Sequence, residues 1–211
     1  MISKTQTRAL IVETARMLFN EHGATTITTN HIARAAAISP GNLYYHFRNK
    51  EEIIRILFRD ISESFDALWK GMDTIPSISE LALILKKTYR LYYDYRFFYM
   101  EIATLIAADD VLKSDYQETR KKRFSQQRDF FSSMSSLGIV KGLESDQDIQ
   151  SALTISWIIS DFWITYLFLS DTPVSPETLQ SSLEMVFFLL KPYISEPFLN
   201  EFQNTIKNLE K

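Results

Sequence analysis

A 211-residue chain without cysteine has no disulfides, no thiolate chemistry and no cysteine-ligated metal. At this length it buries about 70% of its unfolded surface and needs no covalent staples. The net charge of −3 hides an asymmetry: residues 1–60 carry eight Lys/Arg and five Asp/Glu, a balance of +3, while residues 61–211 carry fifteen and twenty-one, a balance of −6. A small basic end on an acidic remainder steers that end toward a polyanion, and His22, His31 and His46 all fall within it.

Glycine and proline are scarce, period-2 runs are missing, and 3.6-residue periodicity dominates, which predicts an all-α fold. The opening residues "MISKTQTRAL" carry no apolar run before a small-residue cleavage site, so no signal peptide and a cytoplasmic setting are expected. The first helix is predicted from about Lys4 to His22, with Ile11, Ala15, Leu18 and Phe19 on one face and Gly23 as its stop. A second begins near Thr28, where Ile27 and Ile32 have hydrophobic-staple spacing, and ends near Ala37. A third follows, with Ser39 as cap, Pro40 at its first position, and Ile38 and Leu43 repeating the staple. Two short helices with one entry device and a three-to-four-residue join read as helix-turn-helix. A fourth spans about Lys50 to Trp69, capped by Asn49. The stretch "KGMDTIPSIS", with Gly71 and Pro76, is the expected hinge. Further helices are predicted near 79–94, 97–107, 113–137, 146–169, 176–191 and 195–209.

On a helical wheel the third helix turns Leu43 and Phe47 inward, Gly41, Asn42 and Tyr45 outward, and Tyr44 and His46 to the flanks. A face of small and hydrogen-bonding groups suits the major groove. Asn42 can pair with adenine, the Tyr44 and Tyr45 hydroxyls can reach phosphate oxygens, and Lys50 at the next helix start offers a phosphate site. The competing reading makes both tyrosines half-buried parts of a small three-helix core.

The stretch "TTITTNHIARAAAISPGNLYYHFRNKEEII", with "IVETARMLFNEHGATTIT" before it, resembles the DNA-binding head of the tetracycline-repressor (TetR) family of bacterial regulators. The matching residues are Thr28, Thr29, Ile32, Ala33, Ser39, Gly41, Leu43, Tyr44, His46, Phe47, Lys50 and Glu51, within residues 8–57. The resemblance implies a homodimer on a palindromic double-stranded DNA operator and release by a small-molecule effector. It divides the chain into a head at 1–50, a connector helix at about 50–70, and an effector-binding and dimerisation domain at 71–211. The DNA-contacting set it implies is Thr28, Thr29, Ser39, Pro40, Gly41, Asn42, Tyr44, Tyr45, His46 and Lys50. The chain departs from the family at Ala37, usually glycine, where a positive φ costs about 1 kcal/mol, and at Pro40, usually polar.

In the remainder, "DIQSALTISWIISDFWITYLFLS" (148–170) is apolar nearly all round. Asp161 within it argues against a membrane span and for burial on one side by its own domain and on another by a second subunit. The next helix offers the stripe Leu179, Leu183, Val186, Phe187 and Leu190, and the resemblance places both helices in the dimer interface; a purely internal core is the alternative. The aromatic run "YRLYYDYRFFYMEIATLI" (89–106), with Trp157, suggests an apolar ligand cavity, or else plain core. Tyr92, Phe98, Glu101, Trp157 and Asp161 are the candidate ligand residues, with Glu101 and Asp161 as orienting groups or ion-paired structural ones. "RKKR" (120–123) reads as a solvated face, with Glu118 paired to Lys122. No Gly-rich phosphate loop, metalloprotease helix or nucleophile-elbow pattern is present, so no catalytic residue, metal or cofactor is expected. A DNA-binding protein with a non-transcriptional or protein-partner role is the alternative function.

Overall fold

The structure, a computed structural model, describes residues 3–70, 76–143 and 145–209, without the side chains of residues 183 and 207–209. The expected hinge at Gly71 and the Leu183 side chain therefore lie outside the described residues. The described residues hold ten α-helices and no named strand: α1 Lys4–His22, α2 Thr29–Ala35, α3 Pro40–His46, α4 Lys50–Leu68, α5 Ile78–Asp94, α6 Arg96–Ala108, α7 Asp110–Ser136, α8 Asp146–Leu169, α9 Pro176–Leu190 and α10 Glu196–Leu209. The all-α prediction holds, with the three-helix head at the N-terminus of a larger helical remainder.

The chain forms two compact units. The first comprises residues 3–64 and 94–116, the second 65–93 and 117–209. In the first, α1 packs on α2 and α6, and α2 packs on α3. Ile11, Ala15, Phe19, Ile32, Leu43, Phe47, Leu57 and Phe98 are all buried in it. The Phe19 and Phe97 rings lie 5.2 Å apart, and Phe58 and Phe98 5.1 Å. The compact unit is wider than the 1–50 head motif, because α6, expected with the remainder, packs on α1.

Local chemistry sets the short helices. Thr28 Oγ1 accepts from the His31 N–H, and His31 Nδ1 accepts in return from the Thr28 N–H, both at 3.3 Å, a reciprocal capping box. Ser39 Oγ accepts from the Asn42 N–H at 3.1 Å. Asn49 Oδ1 accepts from the Glu52 N–H at 2.9 Å, and Glu52 accepts from the Arg48 N–H at 2.7 Å. Ala37 sits at φ 53°, the left-handed conformation anticipated for the turn between α2 and α3.

In the second unit α8 packs on α9. An isolated antiparallel bridge joins Val140 to Ile194. Met134, Val140, Leu143, Ile149, Leu153 and Leu190 form one core cluster, and Leu81, Ala82 and Phe202 another. The predicted α9 stripe faces inward: Leu179 and Leu190 are buried and Val186 and Phe187 half-buried. Among the described side chains, the apolar residues that α9 leaves exposed are instead Met185 and Phe188.

Candidate nucleic-acid interface

Leu43 and Phe47 are buried at 0% and 2% exposure and seat α3 on the head core. The opposite face is open: Gly41, Asn42, Tyr44 and Tyr45 are exposed, and His46 is half-buried. Tyr44 and Tyr45 are 52% and 67% exposed, which removes the core-aromatic reading of this pair. The Tyr44 hydroxyl lies 3.0 Å from Thr29 Oγ1, tying the start of α2 to α3. Lys4 Nζ stands 4.6 Å over the Tyr45 ring, and the Tyr45 ring meets His46 edge-on at 5.2 Å. Thr28, Thr29, Tyr44 and Lys50 come together around one open cleft, which Arg48 and Asn49 also line.

Two of the expected contact groups are otherwise engaged, and a third points elsewhere. Thr28 and Ser39 spend their hydroxyls on helix caps. Lys50 does not present its ammonium outward: Nζ donates to the Ala24 carbonyl and, at 3.4 Å, to the Thr25 carbonyl. The exposed cation beside the cleft is Arg48, which has no ion pair among the described residues. Sequence reasoning misses it although it stands in the same stretch, because a helix start draws the phosphate assignment to Lys50 and away from the residue two positions before it.

Gly41 is informative. A Cβ added there meets nothing closer than Ser39 Oγ at 4.0 Å. The fold itself therefore leaves room for a side chain at this position, the second of α3. A glycine there leaves the backbone of α3 open to close approach from outside.

The five candidate ligand residues do not come together in one unit. Phe98 is buried in the first unit, its ring against Phe58, Phe97 and Tyr99. Glu101 is also in the first unit, where its carboxylate accepts from the Thr25 N–H at 3.0 Å and from Thr25 Oγ1 at 3.1 Å. It is a clasp on the α1–α2 turn, not an orienting group for a ligand. Tyr92, Trp157 and Asp161 belong to the second unit. Burial there raises the Tyr92 phenol, Asp161 raises it further, and Arg123 opposes them. Asp161 is itself buried at 4% exposure.

The "RKKR" expectation is overturned in part. Lys122 pairs with Asp66 at 2.6 Å, and Arg123 is buried at 7% exposure with its guanidinium 3.9 Å from the Phe65 ring centre. A signal for this existed. Leu112, Tyr116, Thr119, Arg123, Phe130 and Met134 follow helical spacing, and all are buried or half-buried.

Comparison with known proteins fixes the family. Residues 11–56 match the model of bacterial regulatory proteins of the tetR family, and residues 60–202 match the TetR model described as bacterial transcriptional repressor. The chain belongs to the TetR family. This is a family of transcriptional regulators. The HTH-type transcriptional regulator TtgR of Pseudomonas putida is 31% identical over 81 residues, 38% of this chain and 39% of that protein. The matched stretch thus spans well under half the length of this curated relative. The crystal structure of a TetR-family transcriptional regulator from Marinobacter aquaeolei VT8 superposes with a TM-score of 0.83 at 28% identity, over 94% of this chain and 98% of that one. AibR, solved in complex with isovaleryl coenzyme A and operator DNA, shares the TetR fold with a TM-score of 0.63 at 21% identity, over 87% of this chain and 98% of that one.

Proposed function

We propose that this chain is a homodimeric, sequence-specific DNA-binding repressor of the cytoplasm, released from a palindromic operator by a small-molecule effector, and that it has no enzymatic activity. The observation that carries the proposal is the outward face of α3, where an unforced glycine sits among exposed amide and hydroxyl groups. A groove-reading helix needs that surface. Asn42 is assigned to a base edge, Tyr44 and Tyr45 to backbone phosphates, and Thr29, Pro40 and His46 to the flanks of the contact. The division of labour runs from a reading head at 1–50, through a connector at about 50–70, to effector binding and dimerisation within 71–211, with α6 serving the head. A protein of the same fold holds an acyl coenzyme A together with operator DNA, which supports an effector and an operator as the two ligands here.

The dimer rests on α8 and α9. Among the described residues, α8 is long and apolar enough to cross a membrane. Five of its six large exposed apolar residues lie along one stripe, Ile155, Ile158, Phe162, Tyr166 and Leu169, and Phe168 stands off it. Asp161 is buried on another side. A stripe left open by the protomer's own packing, on a helix with a buried aspartate at its middle, asks for a partner subunit.

The test is gel-shift and fluorescence anisotropy on the DNA flanking the protein's own gene. Gly41→Ala is expected to act in opposite directions on two readouts. It should stabilise the head by about 0.5–1 kcal/mol in urea melts and weaken operator binding in anisotropy. Unchanged affinity with raised stability would remove the close approach from the proposal. Arg48→Ala should flatten the salt dependence of operator binding by about one unit of slope. Lys50→Ala should lower head stability and leave the slope nearly intact. The reverse pattern would return the phosphate contact to Lys50.

A further inference from the structure

The second unit contains buried donors that the fold does not satisfy. Arg123 is 7% exposed, and its Nε and Nη2 are buried without an acceptor. Trp69 Nε1 is likewise buried and unpartnered. Both groups pack on one ring: the Arg123 guanidinium is 3.9 Å from the centre of Phe65, and the Trp69 ring stacks on it at 5.9 Å with 17° between planes. Phe130 meets Trp69 edge-on at 6.3 Å.

A native interior leaves few polar groups unpaired, because each forfeits its hydration without return, and a charged group forfeits most. Here three N–H donors are stranded beside the same aromatic ring. An indole and a guanidinium have no acceptor capacity, so they cannot satisfy one another. Asp161 does not fill the gap either, although its charge and that of Arg123 both reach Tyr92, since neither Nε nor Nη2 has an acceptor. Nε and Nη2 form one edge of the guanidinium, the edge that takes the two oxygens of a carboxylate side by side.

We propose that Arg123 and Trp69 receive the carboxylate of an apolar organic acid, with Phe65 and Phe130 against its hydrocarbon part. The inference rests on the effector reading above and narrows it, from a mostly apolar molecule to an acid with an apolar body. The missing acceptor is then supplied by the ligand, and the cost carried by the ligand-free protein becomes selectivity for the ionised group.

The experiment is calorimetric titration of the full-length protein, without DNA, with octanoate, phenylacetate and indole-3-acetate, each beside its own amide. At least one acid is expected to bind about tenfold or more tightly than its amide, the range for a charge-assisted buried hydrogen bond. That preference should vanish in Arg123→Met, mostly vanish in Arg123→Lys, which keeps the charge and loses the edge, and weaken in Trp69→Phe. Arg123→Met should also raise the Tm of the ligand-free protein, because two buried N–H groups without acceptors are replaced by a side chain that packs. No acid surpassing its amide would overturn the proposal. So would a preference surviving in Arg123→Met, or a Tm lowered by it, since a structural arginine loses stability on replacement. Gel-shift is run separately. Absent operator binding with the acid preference intact would remove the repressor reading and leave this site standing.

Discussion

A chain carrying Ile158→Glu and Phe188→Glu is expected to sediment as a monomer at micromolar concentration and to lose operator binding by about 100-fold or more. Phe188 is 78% exposed and Ile158 52%, on two helices that pack on each other. Their outward position means the substitutions cost the protomer's own core little. In a two-fold dimer each substitution appears twice on a self-complementary surface, so every carboxylate loses its hydration on association. Binding to a two-half-site operator draws its strength from the second head being held near its half-site, and a monomer forfeits that gain. Sedimentation velocity and anisotropy read the two consequences independently. A double variant that still sediments with the wild type would place the interface elsewhere.

Leu43→Ala should destabilise the head by about 2–5 kcal/mol, the range for removing a buried leucine without collapse of the cavity. Leu43 is fully buried and, with Phe47, it seats α3. A seven-residue helix has no stability of its own, so its orientation depends on these two anchors. The variant should lose operator affinity while retaining most of its far-UV helical signal, because α8–α10 and all of α5 but its last residue lie outside the first unit. Hydrogen exchange localised to residues 29–47 would report the loosening directly. A loss below about 1 kcal/mol would mean that α3 is held by other contacts.

Much of the head is legible in the sequence because its determinants are local. Ser39, Asn49 and Gly23 act within three or four residues of where they stand, and the staple pairs five apart mark both helix entries. The left-handed turn at Ala37 falls where the join between the two short helices requires it. What escapes a sequence reading is long-range. Glu101 reaches Thr25 across 76 positions, and nothing in its own neighbourhood points there. Its apolar surroundings suggest a ligand cavity, and the same surroundings are the head's own floor. Lys50 stands where a phosphate contact is reasonable, yet two carbonyls left over at the α1–α2 turn compete for the same cation. Arg123 reads with its charged neighbours in sequence, although helical spacing sets it with Leu112, Phe130 and Met134. The charge run and the buried stripe overlap at that residue, and the stripe decides its position.

Glu101 also bears on how this protein can be rebuilt. A Cβ at Gly23 would lie 2.5 Å from Glu101 Oε1. Asn20 hydrogen-bonds the Asp94 carbonyl at 2.7 Å through Nδ2 and accepts from the Phe97 N–H at 3.1 Å through Oδ1. The head thus stands on a foundation encoded well downstream of it in the chain. A chimera that transplants residues 1–50 onto a foreign sensor carries the motif and abandons its footing, leaving Phe19 without Phe97 and the Thr25 amide without its acceptor. The transferable part is discontinuous in the gene. Grafting the reading specificity means either carrying 94–116 along with the head or changing only the outward residues of α3 on the resident scaffold.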